Sequence, residues 1–163
     1  AKILQSRGTP IRVLIAGTGE DSYIETLKAR AKSQGVDNCV FFLGMVVGEL
    51  KLSLYALADI FALPTQQENF GLVYPEAMLC EIAVIGTKGT DIWQELEKGG
   101  AVIAERTPEA FAHEIETLMQ DKETLSKKGK QGRAYILQWL NTDTVAQSYE
   151  AMYEQAISVV RIP

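Results

Sequence analysis

The chain has 163 residues, 47% of them apolar and 23% charged, with 16 Lys and Arg against 21 Asp and Glu for a formal net charge of −5. That is enough chain for one domain with a real core, and the composition excludes intrinsic disorder. There is no basic surplus to draw the domain to nucleic acid or anionic lipid, no apolar run near the roughly 18 residues of a membrane span, and no apolar signal-peptide core in residues 1–8. Two cysteines, Cys39 and Cys80, and the single His113 are too few for a disulfide scaffold or a Cys/His zinc site. The composition reads as a soluble, cytoplasmic, acidic domain.

In chain order, residues 11–16 form a first apolar run, closed by Gly17-Thr18-Gly19. Ser22 and Glu25 read as a capping box for a helix with Ile24, Leu27 and Ala31 on one face, stopped by Gly35. A second strand covers 39–43, and the apolar loop 44–48 leads to a helix over about 49–58 with Leu50, Leu54 and Leu57 on one stripe. A third strand, 60–63, runs into a polar loop and a helix that begins near Gly71 and ends before Ile82. Strands at 82–85 and 101–103 flank a helix over about 91–98. Thr107 and Pro108 have the pattern of N-cap and first helical residue, with Phe111, Ile115, Leu118 and Met119 on the buried face that follows. Residues 121–140 continue as helix with Gly129 and Gly132 as weak points, and Asn141 or Thr142 caps a last helix striped by Val145, Tyr149, Met152, Tyr153 and Ala156.

The strands are near-continuously apolar rather than alternating, the pattern of strands covered on both faces in a parallel sheet. Alternation with helices predicts a doubly wound, Rossmann-like α/β domain over residues 1–163, its parallel sheet flanked by helices and followed by a helical C-terminal tail. No repeat or linker interrupts it. His113 lies off its helix's apolar stripe and reads as an exposed bystander. Cys39, within a strand, and Cys80, at a helix end, read as small buried hydrophobes. Trp93, Trp139, Tyr135, Tyr149 and Tyr153 fit helical core positions.

Ligands of an open α/β sheet bind beyond the carboxyl ends of its strands. Gly17-Thr18-Gly19 is a Gly-x-Gly turn with Ser22 where a dinucleotide fingerprint needs a third glycine, so a tight strand-to-helix turn is the better reading. The loop 64–72 carries more chemistry. Phe70-Gly71 ends a polar stretch where a helix begins, and free N–H groups at Gly71, Leu72 and Val73 suit an anion such as a diphosphate. Glu68 and Glu76 flank that point, and a carboxylate, acceptor-only, suits sugar hydroxyls. The residues alone equally allow Glu76 to complement the helix terminus and Glu68 to be solvated.

The stretch Glu68-Asn69-Phe70-Gly71-Leu72-Val73-Tyr74-Pro75-Glu76-Ala77-Met78, with two glutamates eight residues apart, resembles the signature of retaining glycosyltransferases of family 4, which have the GT-B fold. The resemblance runs from Ile11 to about Tyr153, and includes Phe41-Phe42-Leu43-Gly44 and the strand 58–65. It implies that Glu76 accepts hydrogen bonds from the donor's ribose and that Glu68 contacts the donor sugar as the catalytic carboxylate. It implies further that the backbone of Asn69, Phe70, Gly71 and Leu72 faces the sugar and distal phosphate, that Met45 and Val46 lie against the nucleobase, and that Gly17 and Thr18 line the adjacent turn. The donor is a nucleoside diphosphate sugar carrying UDP, GDP or ADP; it is a substrate, and neither cofactor nor metal is implied.

The chain departs from the family at Glu81, usually glycine, at Ala83, usually proline, and at Gly89-Thr90, commonly Gly-Gly. Nothing before Ile11 matches the family's opening strand, its Arg- and Lys-bearing loop, or its N-terminal acceptor domain. The resemblance therefore implies a donor-binding half, inactive alone, whose partner is that acceptor domain. Any peripheral membrane association of the whole enzyme resides in the acceptor domain too. Three rival readings are a dinucleotide-dependent oxidoreductase, a non-catalytic nucleotide-binding module and a GT-B nucleotide-sugar epimerase. The first needs an acidic residue where Leu43-Gly44-Met45 stands, and the glutamate pair favours the transferase over the epimerase.

Overall fold

A computed structural model describes residues 1–159. Its elements are α1 (Lys2–Ser6), β1 (Val13–Ala16), α2 (Asp21–Ser33), β2 (Val40–Gly44), α3 (Gly48–Leu57), β3 (Ile60–Ala62), α4 (Val73–Leu79), β4 (Ala83–Gly86), α5 (Trp93–Lys98), β5 (Val102–Ile103), α6 (Pro108–Gln120), α7 (Lys122–Trp139) and α8 (Thr142–Val159). The predicted β-α alternation is present, and all strand pairs are parallel. The short α1 lies outside the elements predicted.

The strands form two sheets rather than one. β1 pairs with β2, and β3-β4-β5 make a separate three-stranded sheet. β4 is covered on both faces, as its apolar run predicts. Val84 joins Tyr74, Ala77, Met78, Leu96 and Ile136 from α4, α5 and α7, whereas Ala83 and Ile85 join Ala104 and Leu118 on the α6 side. The period-two alternation of a strand sends successive side chains into two cores, so every residue of β4 must be apolar. β1 and β2 do not meet that expectation: Leu14, Ile15, Phe41 and Leu43 stay 39–48% exposed. A cavity of about 410 Å³, lined among others by Leu4, Ile15, Phe42, Phe111 and Ile115, separates their inner face from α1, α2 and α6.

Local chemistry explains most helix boundaries. The Thr107 side chain accepts from the Ala110 N–H with Pro108 behind it, and Asp121 accepts from the Thr124 N–H. Asp121 thus divides one predicted helix from the next. Asn141 Oδ1 accepts from the Asp143 N–H at 2.9 Å and starts α8. Four expectations are corrected. The capping box at Ser22 does not form, because α2 begins at Asp21, two residues earlier than that cap requires, after an N-cap at Glu20 that makes no side-chain bond. Cys39 lies in the turn before β2, its S–H donating to the Val36 carbonyl at 3.3 Å, and both cysteines are only partly buried. On α3 the stripe Leu50, Leu57 is exposed and Tyr55 is the buried residue. On α8, Tyr149 and Tyr153 are 54% and 61% exposed, since α8 packs on the domain chiefly beside α7.

Glu81, the residue after Cys80 at the end of α4, has φ of 60°. That left-handed conformation ends the helix and is strained for a side chain with a Cβ. Glycine would take the same conformation without that strain.

Candidate functional site

Two groups of loops gather at the carboxyl ends of the strands. After β1, Gly17 has φ of 148° and donates its N–H to the Gly44 carbonyl at 2.8 Å. This bond joins the exposed Gly17-Thr18 turn to the end of β2, where Gly44 (φ 68°) turns the chain into Met45 and Val46. Met45 is 64% exposed and available to a ligand surface, whereas Val46 is buried at 9%, which leaves its backbone as the part that can face outward.

The second group is the loop from Leu63 to Leu72. It is held by β4's following loop. Glu68 donates its N–H to the Gly89 carbonyl at 2.8 Å and accepts from the Asp91 N–H at 2.9 Å. Thr87 Oγ1 donates to the Thr65 carbonyl at 2.7 Å. Gly89 lies so close that a Cβ there would sit 2.5 Å from the Gln66 carbonyl oxygen. Beneath, the fully buried Tyr74 donates its hydroxyl to the Leu63 carbonyl at 3.1 Å and accepts from Thr90 Oγ1 at 3.2 Å. Burial raises the Tyr74 phenol pKa, opposed by the Thr90 hydrogen bond. This satisfied polar network fixes the backbone that carries Glu68.

Gly71, with φ of 64°, is the residue the turn requires. A Cβ there would meet Tyr74 Cδ2 at 2.8 Å and Glu68 Cγ at 3.0 Å. Asn69 is exposed, and Phe70 stacks on Trp139 of α7 with ring centroids 5.7 Å apart and planes at 17°. Leu72 is 68% exposed. Among the described residues, no protein group accepts the backbone N–H of Asn69, Phe70, Gly71 or Leu72. The loop therefore offers donors without a built-in acceptor.

Glu76, one turn into α4, is reached by two side chains of α3. Lys51 Nζ lies 2.7 Å from Oε1, and Tyr55 Oη donates to Oε2 at 3.2 Å. The Tyr55 pKa is raised by burial and then by the neighbouring Glu76 charge, so the phenol stays a donor. Through this helix the two loop groups are brought together, since α3 starts directly after the Met45–Val46 turn and its later residues touch Glu76. Sequence reasoning missed Lys51, Tyr55, Thr90 and the Phe70–Trp139 stack. Only the Lys51–Tyr55 spacing of four, one face of a helix, was a signal available in advance. Among the described residues, no cluster of three or more His, Cys, Asp or Glu side chains can hold a metal ion. His113 is exposed and distant in sequence from these loops.

Residues 1–121 match the family model described as glycosyl transferases group 1. Among curated proteins, the chain is 29% identical over 154 residues to D-inositol 3-phosphate glycosyltransferase of Corynebacterium glutamicum, covering 91% of this chain and 36% of that protein. The chain thus spans little more than a third of that relative. Among solved structures, sucrose-phosphate synthase from Thermosynechococcus elongatus superposes with a TM-score of 0.77 at 19% identity, over 97% of this chain and 42% of the other. HepE from Anabaena, solved in complex with UDP-glucose, superposes with a TM-score of 0.75 at 23% identity, over 88% and 41%. At these identities the superpositions establish the fold, which is that of the C-terminal half of GT-B glycosyltransferases. By its match over residues 1–121, the chain belongs to the glycosyl transferases group 1 family.

Proposed function

We propose that this chain is the donor-binding half of a retaining, family 4 glycosyltransferase that moves a sugar from a nucleoside diphosphate sugar to a glycan or lipid-linked acceptor. The observation that carries the reading is Glu76, aimed by Lys51 and Tyr55 beside a loop of unaccepted N–H groups. In this reading the outward lone pairs of Glu76 take the ribose hydroxyls, and the N–H groups of Asn69 to Leu72 face the sugar and distal phosphate. Negative charge grows on the leaving diphosphate, and fixed donors that need no reorganisation stabilise it. Glu68, clamped through its backbone, contacts the sugar. Met45 supplies the exposed surface for the base, and Gly17 and Thr18 border it. The neighbour HepE, which holds UDP-glucose, supports a nucleotide-sugar ligand of this class.

The free edges of β1 and β3 support a further part of the reading. In this reading a parallel strand of the whole protein pairs with both edges and joins the two sheets, and an acceptor domain completes the cleft. On this reading the isolated half binds donor and transfers little sugar.

The test is a thermal-shift panel of UDP, GDP, ADP and their sugar conjugates on this chain and on Glu76→Ala. A ligand at about five times its Kd stabilises by about 1 kcal/mol, a rise of roughly 2–4 °C for a domain of this size. A rise with one nucleotide, lost in Glu76→Ala, supports the reading and names the base. A rise that survives Glu76→Ala overturns the assigned site.

A further inference from the structure

The Lys51–Glu76 pair has a geometry that a plain contact between two helices does not require. A carboxylate has two oxygens and about four lone-pair directions. Lys51 Nζ takes one direction on Oε1 at 2.7 Å, and Tyr55 Oη takes one on Oε2 at 3.2 Å. Each oxygen is left with one acceptor direction, and the Glu76 side chain remains 34% exposed. Two adjacent acceptors, one per oxygen and held in a fixed plane, match a vicinal diol, which presents two O–H donors side by side.

The two α3 residues do different work. Tyr55 is 8% exposed, and its hydroxyl also lies 3.4 Å from the Val73 carbonyl, so it belongs to the core as much as to the carboxylate. Lys51 is 35% exposed and has no other hydrogen-bond partner among the described residues. Among the described residues its ammonium pairs with Glu76 alone. Surface ion pairs of this exposure stabilise folds little, so stability gives a weak reason for this geometry, and orientation of the carboxylate gives a better one.

We propose that Lys51 is a positioning residue for ribose recognition: it locks the Glu76 carboxylate so that its two free acceptor directions meet the 2′- and 3′-hydroxyls, and it thereby sets the preference of the site for ribonucleotides over 2′-deoxyribonucleotides. The inference rests on the nucleotide-site reading above.

Isothermal titration of UDP, GDP and ADP, and of the 2′-deoxy form of each, tests it on the wild-type chain, Lys51→Met, Lys51→Arg, Glu76→Gln and the Lys51→Met/Glu76→Gln pair. The wild type is expected to prefer the ribonucleotide by about tenfold, the size of one charge-assisted hydrogen bond. Lys51→Met is expected to weaken ribonucleotide binding by about tenfold and deoxynucleotide binding, which keeps only the 3′-hydroxyl contact, by clearly less, narrowing the preference while the residual binding shows that the chain is folded. Lys51→Arg restores most of the preference, and the double variant binds as Glu76→Gln does, because Lys51 acts only through Glu76. Equal loss toward both nucleotides in Lys51→Met, or no loss, overturns the role of Lys51 while sparing the site. Failure of all three nucleotides to bind the wild type, or an intact preference in Glu76→Gln, overturns the nucleotide-site reading and the inference with it.

Discussion

Ile85 and Ile15 are each the third residue of a parallel strand, yet Ile85 has no exposed surface and Ile15 keeps 39% of its own. Both lie in short apolar runs followed within two residues by glycine. The difference comes from what packs above and below. β4 lies between β3 and β5 with α4, α5 and α7 on one side and α6 on the other. β1 has a partner on one edge only, and a cavity lies against its inner face. An apolar run is sufficient to make a strand, but burial needs two neighbours and two layers. The half of the molecule that carries Glu68 and Glu76 is the half that has them, so the glutamate pair sits on the better-packed sheet, whereas Met45 and the Gly17–Thr18 turn sit on the other.

The largest expected effect tests how tightly that half is packed. Gly129 of α7 crosses the end of α4 so closely that a Cβ would lie 1.9 Å from the Glu81 carbonyl oxygen. Because the clash is with backbone, Gly129→Ala is expected to cost about 3 kcal/mol or more, measured by urea unfolding. A cost under about 1 kcal/mol would mean that α7 is not seated on α4 as described. The next effect is the comparison itself. Ile85→Ala is expected to cost about 2–5 kcal/mol and Ile15→Ala about 1 kcal/mol; equal costs would abolish the distinction between the two sheets.

A smaller effect concerns pH. Burial raises the phenol pKa of both Tyr55 and Tyr74 above the ordinary 10.0. With the folded values raised, the unfolded chain loses these protons first, so their contribution is intact below pH 10 and is lost as pH climbs beyond it. Each tyrosine that ionises only when unfolded lowers stability by about 1.4 kcal/mol per pH unit. Tyr55→Phe should flatten the alkaline limb of a stability–pH curve, and an unchanged slope would remove Tyr55 from the buried set. The smallest effect has the opposite sign. Glu81→Gly relieves a left-handed residue at the cost of an exposed pair with Arg133 at 3.7 Å, and should stabilise by up to about 1 kcal/mol. Destabilisation would show that the Arg133 contact outweighs the strain.

How far the sequence could be read depended on the range of the interactions. The Thr107 cap, the Asn141 cap and the glycine turns are settled within three or four residues and were legible. The Ser22 capping box was legible too, and wrong, because α2 starts two residues earlier than that cap requires and the serine is already inside it. The stripe on α3 misled for a related reason: Leu50, Leu54 and Leu57 have helical spacing, but Tyr55 is the side chain that meets β3 and α4 through Phe61 and Glu76. Spacing identifies a face and cannot say which face finds a neighbour. At the candidate site, Glu68, Gly71 and Glu76 stood out because loop, glycine and carboxylate fall within nine residues. Lys51 did not, since it reaches Glu76 from 25 residues away.

By itself the sequence determined the β-α alternation, the parallel class of the sheet, the helix caps at Thr107 and Asn141 and the loop that carries the glutamate pair, all consequences of local periodicity and side-chain chemistry. The tertiary structure alone decided that the strands divide into two sheets, that Thr90 and Tyr74 brace the loop of Glu68, and that Lys51 and Tyr55 orient Glu76. Those outcomes depend on groups far apart in the chain whose meeting is set by packing, and no local pattern encodes the distance between them.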